Sequence, residues 1–154
     1  MTEQALKTWI GALAQRVATT LSAYRVRVNC AVEVIALDCH PWNGLLELSL
    51  LTAEEIARDP ALNDAREMAA WEHYNFGSRV IEWRLSDELE AFMRSSYNSA
   101  GEYRTAVADR FIGACAIACY SELVQQAVAR YALTNHFRMS VSHPDDGREI
   151  YPPN

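Results

Sequence analysis

The chain has 154 residues, with 20 acidic and 14 basic side chains, a formal net charge of −6, and half of its residues hydrophobic. A chain of about 150 residues can bury roughly 68–70% of its unfolded surface, so this composition excludes intrinsic disorder and any need for disulfide or metal staples. The acidic balance argues against the basic footprint of a nucleic-acid binder. With thirteen of the fourteen cations arginine and only Lys7 a lysine, no polybasic segment is present.

Leu6, Ile10, Leu13, Val17 and Leu21 recur at helical spacing and predict an amphipathic first helix, with Thr2 as N-cap and an end near Ser22 or Ala23. Glu3 stands where a secretory signal would carry positive charge. The longest uncharged apolar stretch, Phe111 to Ser121, has eleven residues, against about 20 for a membrane span. The expected location is the cytoplasm, with no membrane contact.

From Arg25 the period changes to two. Val26, Val28, Cys30, Val32 and Val34 alternate with more polar residues, and Leu46, Leu48 and Leu50 alternate with Glu47 and Ser49. Between them, Asp38-Cys-His-Pro-Trp-Asn-Gly44 has turn chemistry. Residues 25–51 are therefore expected to form a long antiparallel hairpin. Thr52-Ala-Glu-Glu55 is a capping box, flanked by Leu51 and Ile56 as a hydrophobic staple, and Asp59-Pro60 ends the helix it opens. Asp64 and Glu67 suggest a further helical turn over 65–72, and Trp71 to Trp83 reads as a loop leading into a short strand. Ser86 is placed as the cap of a helix buried through Leu89, Phe92, Met93 and Tyr97, and Asn98 to Gly101 breaks it. A last helix from about Glu102 to Leu133 is apolar nearly all round, with Gly113 expected to allow close packing by a neighbour. Phe137, Met139 and Val141 alternate in a final strand, His143 to Gly147 forms a turn, and Tyr151 to Asn154 an extended tail. The expected architecture is one α+β domain over residues 1–154: an antiparallel sheet packed against the N-terminal helix and a long, buried C-terminal helix.

Nucleotide-binding glycine loops, H-E-x-x-H and nucleophile-elbow motifs are absent. Cys115 and Cys119 lie one helical turn apart and would join Cys39 and His40 in a zinc site only if the fold brought them together; buried free thiols are the expectation. Cys39 and His40, adjacent on an extended chain, point to opposite faces, so a nucleophile–base pair is not expected and turn roles are. His143 with Asp145 and Asp146 reads the same way, and His73 as a half-exposed side chain. No cofactor or metal is called for.

Seven acids lie between Glu47 and Glu72 against Arg58 and Arg66, a net of −5 out of −6, beside the aromatic stretch that begins at Trp71. The candidate binding residues are Glu54, Glu55, Asp59, Asp64, Glu67, Trp71, Glu72, Tyr74 and Trp83, since charge steers partners and aromatics anchor interfaces. The same aromatics are also good core residues.

The N-terminal amphipathic helix, Val32-Glu-Val-Ile-Ala-Leu-Asp38, Leu46 to Leu50 entering Thr52-Ala-Glu-Glu55, and Trp71-Glu-His-Tyr74 together resemble family 4303 of domains of unknown function, a group of small bacterial proteins. The resemblance implies an α+β domain and no particular activity, hence no catalytic residues to transfer. By analogy with small acidic bacterial domains that neutralise toxins, the leading expectation is a non-catalytic, immunity-like inhibitor with a basic protein partner. The alternatives are a small hydrolase-like enzyme drawing on Asp38, His40, His73 and His143, which requires two histidines in one pocket, and a homodimer formed through the aromatic segment.

Overall fold

The computed structural model describes residues 2–84 and 86–153, Ala65 by its backbone alone; Asn154, the end of the expected tail, lies outside them. Helix α1 spans Glu3–Tyr24, capped by the Thr2 hydroxyl, which accepts the Ala5 N–H at 3.2 Å. Leu6, Leu13, Val17 and Leu21 of the expected stripe are buried. Arg25–Arg27 then forms a 3-10 turn, and strand β1 covers Val32–His40. The expected strand start at Arg25 is thus corrected: Val26 is 76% exposed, and residues 25–31 face no neighbouring strand.

Strand β2, Leu45–Thr52, pairs antiparallel with β1, from His40 opposite Leu45 to Val32 opposite Thr52. The turn between them relies on Gly44, at φ +62°, where a Cβ would lie 2.6 Å from the Arg94 Cβ. Thr52 ends the hairpin because it is also the N-cap of α2, Ala53–Arg58, through the capping box with Glu55.

The chain then crosses the sheet in 3-10 turns, Pro60–Asn63 and Ala65–Ala70, each opened by an aspartate cap. After Trp71 comes a loop and a 3-10 turn at Phe76–Arg79, followed by the short helix α3, Ile81–Arg84, where a strand was expected. Helix α4 spans Asp87–Asn98; Ser86 precedes it without a side-chain cap bond, and Phe92 of its expected stripe stays 36% exposed.

The expected single C-terminal helix is two helices, α5 over Arg104–Tyr120 and α6 over Glu122–Val128. They bend by 60° at Ser121, whose extended backbone and hydroxyl cap α6. Among the described residues no single helix is long and apolar enough to cross a membrane.

Strand β3, Leu133–Ser140, lies against β1 in the order β2-β1-β3, and it runs parallel to β1. The sheet of this α+β fold is therefore mixed where an antiparallel one was expected. The helical excursion after β2 returns the chain to the end where β1 begins, which fixes the parallel direction.

The large core lies under α1, α5 and α6. It unites Leu13, Leu21, Phe111 and Cys115 with Ile35, Leu37 and Cys39 of β1 and Leu46, Leu48 and Leu50 of β2. The opposite sheet face carries a smaller cluster of Val34, Ala36, Leu51, Met68 and Trp71, roofed by the segment after α2.

Candidate functional site

On that second face the alternation of β1 continues through Val34 and Ala36 to Asp38 and His40. On β2, Leu51 and Ser49 lead to Glu47, directly opposite Asp38. Both strands therefore carry ionisable side chains at the same end, where Met68 and Tyr74 of the covering segment also reach. His40 is the last strand residue, so the expected turn role for Asp38 and His40 is corrected. Two residues apart on an extended chain, they share a face. Cys39 points the other way into the large core, with its Sγ 3.5 Å from the Met93 Sδ.

Asp38, His40 and Glu47 form the nucleus of a site. One ligand atom from each lies within 4.8 Å of the other two. Two carboxylates placed directly across a strand pair repel each other, so this pairing costs stability unless something cationic separates them. Glu47 is buried and held in place: its carboxylate accepts the Tyr74 hydroxyl at 3.0 and 3.1 Å and the Asn75 Nδ2 at 2.9 Å. Burial and this carboxylate push the Tyr74 phenol above its ordinary value. Asp38 has no such support. Burial raises its carboxyl from near 3.8 to about 6, His40 pulls it down and Glu47 pushes it up, and no hydrogen bond contributes.

This nucleus opens on a cleft of about 460 Å³, lined by Asp38, His40, Asp64, Arg66, Met68 and the turn from Ser142 to Gly147. On the far wall the His143 ring is fixed from both sides. Its Nδ1 accepts the Asp145 N–H at 3.3 Å, which leaves the proton on Nε2, 3.2 Å from Asp109. At the mouth, Asp64 binds Arg66 at 2.6 Å, and that guanidinium holds the Asp64 carboxyl down to about 2. Two of the four histidines thus meet in one pocket. His73 stands outside it, bound to the Tyr24 hydroxyl at 2.9 Å beside β2, and His136 is exposed on β3.

No family model, curated protein or solved structure matches this chain. What the cleft does is therefore read from its donors. An imidazole and two carboxylates, with one side open, suit a divalent ion of the zinc, manganese or iron(II) kind. Metal–donor bonds of about 2.0–2.2 Å require the three donors to draw in slightly from their present spacing.

The candidate binding residues are spread over several environments. Trp71 and Trp83 are 4% and 5% exposed and belong to the two separate core clusters, so the expectation that these two rings lie on a binding surface is corrected. Large rings under a folded-over segment bury more area than they would at the surface. Glu55 is also interior, at 2% exposure. Its Oε2 accepts the Thr52 N–H and hydroxyl, and its Oε1 accepts the Glu72 N–H at 2.6 Å. Tyr74 serves Glu47. Glu72 is paired with Arg58 at 2.9 Å, Asp59 caps Ala61, and Asp64 is taken by Arg66. Glu54 and Glu67 are left exposed and, among the described residues, in no ion pair. The cysteines do not gather with His40: Cys39, Cys115 and Cys119 are buried, with burial pushing the Cys115 and Cys119 thiols up.

Proposed function

We propose that this chain binds a divalent transition-metal ion through Asp38, His40 and Glu47 and uses it, facing the cleft, in hydrolytic chemistry. The observation that carries this reading is the convergence of one imidazole and two facing carboxylates at one end of the β1–β2 hairpin. Three protein donors with an open side leave a position for water, and a bound ion lowers the pKa of that water toward neutrality. Tyr74 and Asn75 orient Glu47, and such outer partners tune metal affinity about 10–100-fold. Titration of chelator-treated protein with zinc and manganese chlorides, followed by calorimetry, tests the reading. One ion per chain, with affinity lost on His40→Ala, supports it; no saturable binding, or equal binding by the His40 and Glu47 variants, overturns it.

Exposed Glu54 and Glu67 favour a second reading, the immunity-like inhibitor of a basic protein, which agrees with the resemblance to the small bacterial family. A partner recovered with the purified chain, released by salt and by charge reversal at both glutamates, would support it. Retention of that partner by the doubly reversed variant would exclude these residues.

A further inference from the structure

Gly113 lies in the middle of α5, where glycine is about 1 kcal/mol less favourable than alanine. A neighbour packing against it would explain the residue, yet a Cβ at this position would meet nothing within 4 Å. The expected close packing is therefore absent. The space above Gly113 is the floor of a hollow of about 400 Å³, separate from the metal cleft, between α5, the first turn of α1 and the residues after β3.

Apolar and cationic side chains both line the hollow. Leu6, Ile117, Ile150 and Pro152 line it together with the guanidinium-bearing Arg110 and Arg148. The nearest carboxylate to the Arg148 Nε is that of Asp146, at 3.9 Å, and Arg110 meets Glu3, whose side chain is 87% exposed. Such exposed pairs are worth little and exchange readily. Glu149 also reaches the hollow, but its oxygens accept the Ser140 hydroxyl and the N–H groups of Val141 and Tyr151.

We propose that this hollow binds a small amphipathic carboxylate, with its apolar body lying on Gly113 and its head group between Arg110 and Arg148. Guanidinium groups take carboxylates through paired, charge-assisted hydrogen bonds. The volume falls within the range of small-molecule sites and suits an apolar body of about eight to twelve carbons. Gly113 keeps the floor open at a cost to the helix that no contact among the described residues repays.

Calorimetric titration with decanoate, and with decanol as its neutral counterpart, tests this directly. Saturable decanoate binding is expected, at least about tenfold tighter than decanol, weakened to a similar degree in Arg148→Gln and lost in Gly113→Leu, whose side chain fills the hollow. Gly113→Ala should raise the melting temperature of the free protein while weakening decanoate. Equal affinity for decanoate and decanol, no saturable binding of decanoate, or full binding by Gly113→Leu would each overturn the proposal. If Gly113→Leu does not fold, the exposed Arg148→Gln variant decides: unchanged decanoate affinity there overturns it.

Discussion

Replacing Asp38 by asparagine should make the metal-free protein more stable. The carboxyl is partly buried, faces Glu47 and receives no hydrogen bond from the described residues, and burial raises it from near 3.8 to about 6 in the fold. At about 1.4 kcal/mol for each tenfold change in proton affinity, keeping this group ionised in the folded state costs about 3 kcal/mol. Because the folded value is raised, wild-type stability is fully present below about pH 4 and is lost as pH rises through about 6. Asp38→Asn removes the charge while keeping the shape. Its advantage should be near zero at about pH 4, grow across that interval, and level off at up to about 3 kcal/mol near pH 7.5. For a domain of this size that is a melting-temperature gain of roughly 6–12 °C. The assay is thermal unfolding of both proteins in chelator, followed by circular dichroism at several pH values across this range. Zinc at a hundred times its dissociation constant should then stabilise wild type alone, by about 2.7 kcal/mol, closing most of the gap. A variant that melts at or below wild type near pH 7.5, or gains equally at all pH values, would refute the reasoning.

Tyr74→Phe removes the hydroxyl that holds Glu47; zinc affinity should fall about 10–100-fold with little change in far-ultraviolet circular dichroism, as calorimetry would show. Glu55→Ala strands the Thr52 and Glu72 N–H groups and opens the capping box, and urea unfolding should report a loss of about 2–4 kcal/mol. By contrast Glu54→Lys and Glu67→Lys, on the exposed surface, should leave the urea midpoint within about 0.5 kcal/mol of wild type. Trp83→Ala removes a buried ring that packs against Gly77, where an added Cβ would lie 2.9 Å from it, and should cost about 3–5 kcal/mol in the same experiment.

Much of the local structure was legible because it depends on near neighbours. The stripe of α1, the capping box at Thr52 and Glu55 and the turn glycine at position 44 all stand where spacing and side-chain chemistry put them. Long-range contacts decided the rest. Val26, Val28 and Cys30 alternate like a strand, but Val32 is already opposite Thr52, and Thr52 is committed to α2, so no partner extends back to Arg25. Nothing in β3 itself encodes its parallel direction; the return path through the helices does. Ser121 ends α5 and starts α6 although Cys119 and Tyr120 before it and Glu122 and Leu123 after it all lie in helices. At the site, Pro41-Trp-Asn-Gly44 drew Asp38 and His40 into the turn, while the signal that would have placed them was the alternation itself. Valine, alanine, aspartate and histidine occupy every second position of one strand, and leucine, serine and glutamate those of its neighbour, so both change character at one end.

Strand β1 lies between two other strands and has packing on both faces, and for most of its length either set of alternating side chains, Val34 and Ala36 or Ile35 and Leu37, is apolar. Such a strand is weakly protected against sliding by one residue, since each face would still find hydrophobic company. Asp38 and His40 remove that freedom. A slip would carry a carboxyl and an imidazole beneath α5, beside Phe111 and Cys115, and turn Cys39 toward the open cleft. An unpartnered carboxylate in that setting is several kcal/mol worse off than in its present place. The residues assigned to the metal therefore also give the hairpin a single alignment, and replacing both by aliphatic side chains would be expected to produce a more stable sheet with a less certain pairing.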